Sequence, residues 1–274
     1  VMSSFTQIFS YDFMINALIA VLIIGPLFAL LGTMIVTKKM AFFSDALGHS
    51  AFTGIAVGVI CGIPDTTISM VIFAVLFALL LNHIKKRNPE NVDTIISVFA
   101  SVATAIGLAV LSFGGNFSEY SSLLVGDILS ISRLEILYLL IIFVVAIVFY
   151  LLAINKLNAI SINPTVARSH HIKVQLIEDI FAVIIALTVM LSIRWVGLLL
   201  INALLILPAA SARNISENMR EYTIYSIVFS LFSGLLGLFL SYFINIATGP
   251  TIVIVAAIIY FATYVYNVSG GRVR

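Results

Sequence analysis

The chain has 274 residues, of which 62% are hydrophobic and only 9% are charged, whereas a soluble domain carries about 25% charged residues. A net charge of +2 without a basic run argues against a nucleic-acid partner. A single cysteine excludes an internal disulfide framework and any multi-cysteine metal cluster. The composition therefore predicts an all-α, polytopic membrane protein.

Nine apolar segments are long enough to cross a bilayer as helices, which takes roughly 20 residues each. The first is too long for the core of a secretory signal, and Lys38 and Lys39 follow it instead of a cleavage site. Eight spans remain an alternative if a short segment is re-entrant. The least certain spans are the polar second segment and the sixth and seventh, which only Arg194 separates. We expect a single transmembrane permease domain over 1–274, with spans at 13–36, 41–62, 66–84, 93–114, 134–154, 176–193, 195–212, 222–246 and 250–268.

The lysines and arginines indicate the orientation of these spans, because cytoplasmic loops retain positive charge. If the N-terminus is outside and nine spans alternate, only Arg133 and Arg194 fall on the outer side. The charge distribution therefore predicts an outer N-terminus and a cytoplasmic C-terminus. The basic residues then on the inner side are Lys38, Lys39, Lys85, Lys86, Arg87, Lys156, Arg168, Lys173, Arg213, Arg220, Arg272 and Arg274.

The second segment, MAFFSDALGHSAFTGIAVG at 40–58, contains an acid and an imidazole inside an apolar span. Asp45 and His49 are one helical turn apart and roughly 40° apart around the axis, so they share a face. Gly54, Gly58 and Gly62 lie on the opposite side, at a spacing that lets another helix approach closely. We predict one polar face and one packing face for this helix.

Ionisable side chains at this depth are costly, and they usually line an aqueous path or pair with each other. Carboxylate oxygen and imidazole nitrogen are good ligands for zinc and related divalent ions. Two ligands from one chain are too few for a closed site, but a two-fold dimer would bring two copies of Asp45 and His49 to its axis. From spacing alone, an ion pair that only fixes helix packing is an equal alternative.

Four sequence blocks follow one another along the chain: KKMAFFSDALGHS at 38–50, DTIISVFASVATAIG at 93–107, LLVGDILSIS at 123–132, and WVGLLLINALLILPAASAR at 195–213. With these blocks the chain resembles the membrane permease subunits of bacterial zinc and manganese ABC importers, the ZnuB-like family. The likeness extends through nearly the whole length. It implies the ABC importer permease fold.

The resemblance also implies partners and a location. It implies a homodimer in the bacterial plasma (inner) membrane, two copies of an ATP-binding ABC subunit, and an extracytoplasmic metal-binding protein that delivers the ion. It implies that Asp45 and His49 contact the ion in transit. The chain contains no phosphate-binding GxxxxGK[ST] loop. We therefore expect ATP to be bound by the partner subunit, and the chain itself to be no enzyme and to have no cofactor of its own.

We expect the permease to translocate a divalent metal ion, with zinc preferred. Zinc suits a pair that offers imidazole nitrogen as well as carboxylate oxygen, and the third and fourth blocks are most similar to zinc-branch members. Manganese, or iron, is the alternative within the family. A proton-coupled secondary metal transporter, with Asp45 and His49 relaying protons, is an alternative from another class. An intramembrane hydrolase using His49 with Ser44 or Ser50 lacks an evident third orienting group.

The loop NPTVARSHHIKVQ at 163–175 is where permeases of this family meet the ATPase. Ala167 fits the family pattern, whereas His171 stands where glycine is usual. His170 and His171 would point about 100° apart on a helix, so they cannot easily chelate one ion together. We expect them to be a solvated loop pair.

The sequence also supports predictions for five further residues. Cys61 falls on the glycine side of the second span and is expected to be a buried free thiol. Glu178 and Asp179 begin a span, and a helix N-terminus favours acids there. Glu119 and Asp127 could attract a cation to an outer vestibule or receive the binding protein, with N-capping as the alternative for Asp127.

The predicted topology can be tested by labelling. Single cysteines at Asn88 and Asn218, introduced in a Cys61→Ser background, should react only with reagents that reach the cytoplasm. Labelling of either position from outside intact cells would contradict the orientation.

Overall fold

The computed structural model describes residues 11–87, 92–113, 126 and 128–269. Within these ranges the chain is helical without strands, as predicted, and a short 3₁₀ turn lies at Ile128–Ser130. Asn88, Glu119 and Asp127 lie outside the described residues. The helices are α1 (Asp12–Thr37), α2 (Ala41–Ile60), α3 (Thr66–Arg87), α4 (Val92–Phe113), α5 (Arg133–Ile162), α6 (Pro164–Ser169), α7 (Val174–Val196), α8 (Leu198–Ile215), α9 (Met219–Ile244) and α10 (Thr248–Ser269).

Nine helices in the described ranges are long and apolar enough to cross a bilayer, and they coincide with the nine predicted spans. The sixth and seventh spans are separate helices, because α7 ends at Val196 and α8 begins at Leu198. Only Gly197 lies between them, with φ 84° and ψ 151°, a conformation that is essentially restricted to glycine. By length and composition, the described part of the chain therefore has nine candidate spans.

The helices divide into two compact units, and the prediction of a single permease domain over 1–274 is not tested by this division. The first unit comprises 1–36, 124–147 and 195–274, and the second comprises 37–123 and 148–194.

In the first unit, α9 packs a stripe of small and hydroxyl residues inward. The Tyr222 hydroxyl donates to the Thr33 carbonyl at 3.3 Å, and the Ser226 hydroxyl donates to the Ala29 carbonyl at the same distance. Small residues let the helix backbones approach this closely.

Two glycines from different sequence blocks meet in the first unit. Gly126 has φ +66°, and a Cβ at this position would overlap the backbone of Val196 and Gly197. The third and fourth blocks thus contribute one glycine each to a contact between two backbones. The contact leaves no room for a side chain.

In the second unit, α2 lies between α3 and α4. A Cβ on Gly54 would approach the Met70 Cα of α3 to 2.8 Å, and one on Gly58 would overlap Ser69. On the other flank, Gly107 of α4 packs against the α2 backbone, and the Thr53 hydroxyl donates to the Ala103 carbonyl. The predicted packing role of Gly54 and Gly58 is confirmed.

The predictions for Gly62 and Cys61 are wrong, because α2 ends before both. Gly62 has φ +66° and no neighbour at its Cβ position. Its N–H donates to the Val59 carbonyl at 3.2 Å, while the Ile63 N–H donates to the Gly58 carbonyl at 2.9 Å. These two bonds form a Schellman cap. Cys61, as the C-cap, is exposed and not buried.

The two basic residues predicted on the outer side each have an acidic partner. In the first unit, Arg133 lies 3.4 Å from Asp12. In the second unit, Arg194 lies 3.8 Å from Asp65.

Hydrogen bonds from the side chain and backbone of Thr67 hold the pKa of Asp65 below its ordinary value, with a smaller contribution from Arg194. The carboxylate therefore stays ionised at neutral pH, and its contribution to stability is lost only as the pH falls through this lowered pKa.

Alanine at Gly126 should destabilise the protein more than alanine at Gly62. Both positions have φ +66°, so both substitutions impose left-handed backbone strain of about 1–2 kcal/mol. Only Gly126→Ala also forces a methyl group into backbone, which adds about 1–3 kcal/mol. Thermal unfolding of the purified variants in detergent should give a clearly lower midpoint for Gly126→Ala. Equal midpoints would contradict the close approach at Gly126.

Candidate metal window on the second helix

Two residues interrupt an otherwise buried stretch of α2. Of residues 43–56, all of which the structure describes, only Asp45 and His49 are not buried. They are the fifth and ninth of the twenty residues of α2, so His49 lies close to the middle of the span. We call this pair the metal window, although on geometry alone it is only a polar opening in an apolar surface.

The window residues lie close enough to act on one ligand. Asp45 Oδ1 is 3.6 Å from His49 Nε2, and the side chains are 46% and 43% exposed, respectively. Both side chains are thus partly accessible at the surface of the single chain. Within the described ranges, no group of three or more His, Cys, Asp or Glu residues could hold a metal ion. One copy of the chain therefore offers a pair of ligands here and no closed site.

A cleft of about 550 Å³ lies beside α4 and reaches α2 at Phe42, one turn before Asp45. Its polar lining comes mainly from α4, where Asp93, Ser97 and Ser101 recur at four-residue spacing on one face. All three are exposed. Carboxylate and hydroxyl oxygens along a membrane helix are typical of a surface that contacts water or an ion.

At the predicted cytoplasmic end of the second unit, two acids of α7 bind partners on other segments. Glu178 Oε1 lies 2.8 Å from Lys38 Nζ, with the two side chains 19% and 4% exposed. Asp179 accepts a hydrogen bond of 2.6 Å from the Asn82 amide of α3. Neither acid lies in the first turn of α7, so the predicted interaction with the helix N-terminus is replaced by these contacts. Their importance was missed because the partner residues are distant in sequence.

The loop predicted to meet the ATPase contains the short helix α6. Asn163 caps it by accepting from the Thr165 and Val166 N–H groups at 2.9 and 3.2 Å. Ala167 is 2% exposed, while the other residues of α6 are exposed. The family residue Ala167 thus faces inward.

The two histidines after α6 are exposed, as expected of a solvated loop pair. His171 has φ 57°, a left-handed conformation that glycine adopts most easily. The backbone therefore keeps the shape that the glycine usual at this position would permit.

Known proteins are similar to this chain along almost its whole length. It is 28% identical to the high-affinity zinc uptake system membrane protein ZnuB of Haemophilus influenzae over 251 residues, covering 91% of this chain and 96% of that protein. It is 25% identical to the manganese transport system membrane protein MntC of Listeria monocytogenes, covering 93% and 91% of the two chains.

A solved structure, PsaBC from Streptococcus pneumoniae in complex with Fab, has the same fold, with a TM-score of 0.83 and 24% identity over 96% of this chain and 95% of that one. This agreement confirms the predicted permease fold. The resemblance to ZnuB-like permeases is confirmed as well. Residues 10–267 match the ABC 3 transport family, so the chain belongs to this family of metal ABC importer permeases, and it is a multi-pass transport subunit of the bacterial inner membrane and not an enzyme.

Proposed function

We propose that the chain is the permease subunit of an ATP-driven importer that moves a divalent metal ion, zinc in preference to manganese, through the metal window. The observation that carries the proposal is the half-exposure of Asp45 and His49 within the buried stretch 43–56. Both side chains offer ligand atoms that zinc accepts. An ion that crosses the bilayer is the substrate here, so a weak, open site is appropriate.

The ligand count supports a homodimer as the working unit. Zinc sites in proteins are usually four-coordinate, and one window supplies only two side chains within the described ranges. A second copy related by two-fold symmetry would add another Asp45 and His49. In such a dimer the exposed face of each window is covered by its partner and the ion, which removes two half-exposed ionisable groups from lipid.

The choice of zinc rests on the imidazole. Nitrogen ligands favour zinc, whereas manganese suits sites built from carboxylate, carbonyl and water oxygens. The similar proteins include one described as a zinc uptake protein and others described as manganese transport proteins. Manganese is therefore the alternative substrate, and competition between the two ions in one uptake assay decides between them.

The cleft beside α4 suits an inward exit for the ion. Asp93, Ser97 and Ser101 line this cleft, which reaches α2 at Phe42, on the predicted cytoplasmic side of Asp45. An ion leaving the window could exchange its protein ligands for the oxygens of these side chains and for water. The opposite end of the window would receive the ion from an extracytoplasmic metal-binding protein.

Helix α6 is the proposed contact with an ATP-binding subunit. It is exposed apart from Ala167, and it adjoins a cleft of about 600 Å³ lined by Lys86, Arg168 and Lys173 together with Asp179. This lining is mostly basic, which favours a partner surface that presents acidic groups. The chain contributes no ATP-binding loop of its own.

Removal of either window ligand should stop transport. Asp45→Asn keeps the size of the side chain but removes the charge that offsets a dication, and His49→Gln keeps a hydrogen bond but removes the imidazole. Either change should lower zinc uptake by about 100-fold, and wild-type uptake should weaken as the pH falls, because protons compete for the ligands. The measurement is metal uptake into proteoliposomes that contain the permease, its ATPase and its loaded binding protein.

Ser50→Ala is the matched control for this experiment. Ser50 is buried next to His49 and donates to the Leu47 carbonyl of its own helix at 2.7 Å, so its loss should leave uptake unchanged. Normal uptake by both Asp45→Asn and His49→Gln would reject the metal window and leave a packing brace. Uptake that proceeds without the ATPase would instead favour the proton-coupled class of transporter.

Crosslinking should locate the ATPase on α6. A cysteine at the exposed Thr165, in a Cys61→Ser background, should crosslink to the ATPase in membranes, whereas one at the buried Ala167 should crosslink poorly. A bulky residue at Ala167 should lower metal-stimulated ATP hydrolysis, since it displaces α6 from the helices beneath it. Equal crosslinking at both positions would contradict the inward orientation of Ala167, and crosslinking at neither would reject α6 as the contact.

A further inference from the structure

Contacts within the second unit connect α6 to the metal window. Four residues separate α6 from α7, and the fifth residue of α7, Glu178, binds Lys38 at 2.8 Å. Lys38 lies three residues before α2, the helix that carries Asp45 and His49. The charged pair is therefore the side-chain link between the helix that contacts the ATPase and the helix that contacts the ion.

The first part of this route is held by backbone hydrogen bonds. After α6, the His171 N–H donates to the Arg168 carbonyl at 3.0 Å, and the Ile172 N–H donates to the Ala167 carbonyl at 3.2 Å. The Val174 N–H then donates to the Ile172 carbonyl at 2.8 Å, where α7 begins. Because backbone hydrogen bonds recur through this turn, a displacement of α6 is expected to be passed to α7.

The last part of the route is also stiff. Lys38 is 4% exposed, and its ammonium lies 5.9 Å from the centre of the Phe181 ring, one turn along α7 from Glu178. Met40 caps the start of α2, and Phe43 N–H donates to its carbonyl at 3.0 Å. Asp45 is then about 6 Å along the axis from Ala41. A movement of Lys38 therefore reaches the window through the turn at Lys39 and Met40 and the first turn of α2.

The chemistry of the link points to a role beyond holding the helices together. Burial of two charges is expensive, and apolar residues of similar volume often stabilise a fold as well as or better than a buried ion pair. The Lys38–Glu178 pair is part-buried, with side chains 4% and 19% exposed, and in a chain with 9% charged residues it is a costly brace. Charged pairs have the advantage that their contact is directional and can be broken and remade between two states.

We propose that the Lys38–Glu178 pair transmits ATP-driven displacement of α6 and α7 to α2, and so couples ATP hydrolysis to opening of the metal window. Lys38 and Glu178 are positioning residues that touch neither the ion nor ATP. The Asp179–Asn82 hydrogen bond beside them holds α3 to the same turn of α7. This inference rests on the proposed function, since it requires an ion at the window and an ATPase at α6.

The test replaces the pair by apolar side chains. Lys38→Met combined with Glu178→Met removes both charges at once, which matters because Lys85 also interacts with Glu178 and could replace Lys38 alone. In proteoliposomes with the ATPase and loaded binding protein, zinc taken up per ATP hydrolysed should fall about tenfold. Basal ATP hydrolysis by the complex and equilibrium zinc binding by the solubilised permease should not change. Lys38→Arg keeps the charged contact and should keep the wild-type ratio.

A matched control removes a pair that lies away from this route. Asp12→Asn with Arg133→Gln deletes an exposed pair at 3.4 Å, and the uptake per ATP should stay at the wild-type value. A wild-type ratio in the double methionine variant would overturn the proposal and reduce the pair to a brace. If that variant does not accumulate, Lys38→Gln with Glu178→Gln is measured instead and is interpreted in the same way.

Failure of the coupling proposal and failure of the proposed function give different results in these assays. Normal uptake by Asp45→Asn would reject the metal window whatever the methionine variant does. A normal ratio in the methionine variant, together with loss of uptake in Asp45→Asn, would keep the window and reject the coupling link.

Discussion

The cost of placing a charge in a bilayer is the constraint on which this structure depends. In a chain with 9% charged residues, several charges inside or beside the spans are offset by a partner. Lys38 has Glu178, Arg194 has Asp65, and Arg133 has Asp12. Asp45 and His49 contact each other and stay half-exposed, which distinguishes them from the largely buried residues around them on α2.

The spans and the window residues could be predicted from the sequence because they depend on short-range patterns. Nine apolar runs of sufficient length correspond to nine helices in the described part of the chain. The four-residue spacing of Gly54 and Gly58 correctly indicated close helix packing, and the spacing of Asp45 and His49 correctly indicated a shared face. Whether that face binds metal is a separate question, which the proposed uptake measurements address.

Features that depend on where a helix ends, or on distant partners, could not be predicted. Gly62 continues the four-residue glycine spacing and Cys61 falls on the same side, but α2 ends at Ile60 in a Schellman cap that includes both residues. The partner of Glu178 is 140 residues away, and no local pattern pairs it with Lys38. Ala167 matches a family position, yet only the folded turn shows that it faces inward while the rest of α6 is exposed. Each of these features depends on tertiary packing, which local sequence patterns do not reveal.

The burial pattern of α2 also separates the proposed site from the integrity of the fold. Because only Asp45 and His49 between residues 43 and 56 escape the interior, exchanges at these two positions should leave the surrounding packing intact. If the pair binds the ion as proposed, cargo preference can change on this scaffold without rebuilding the helix that carries it.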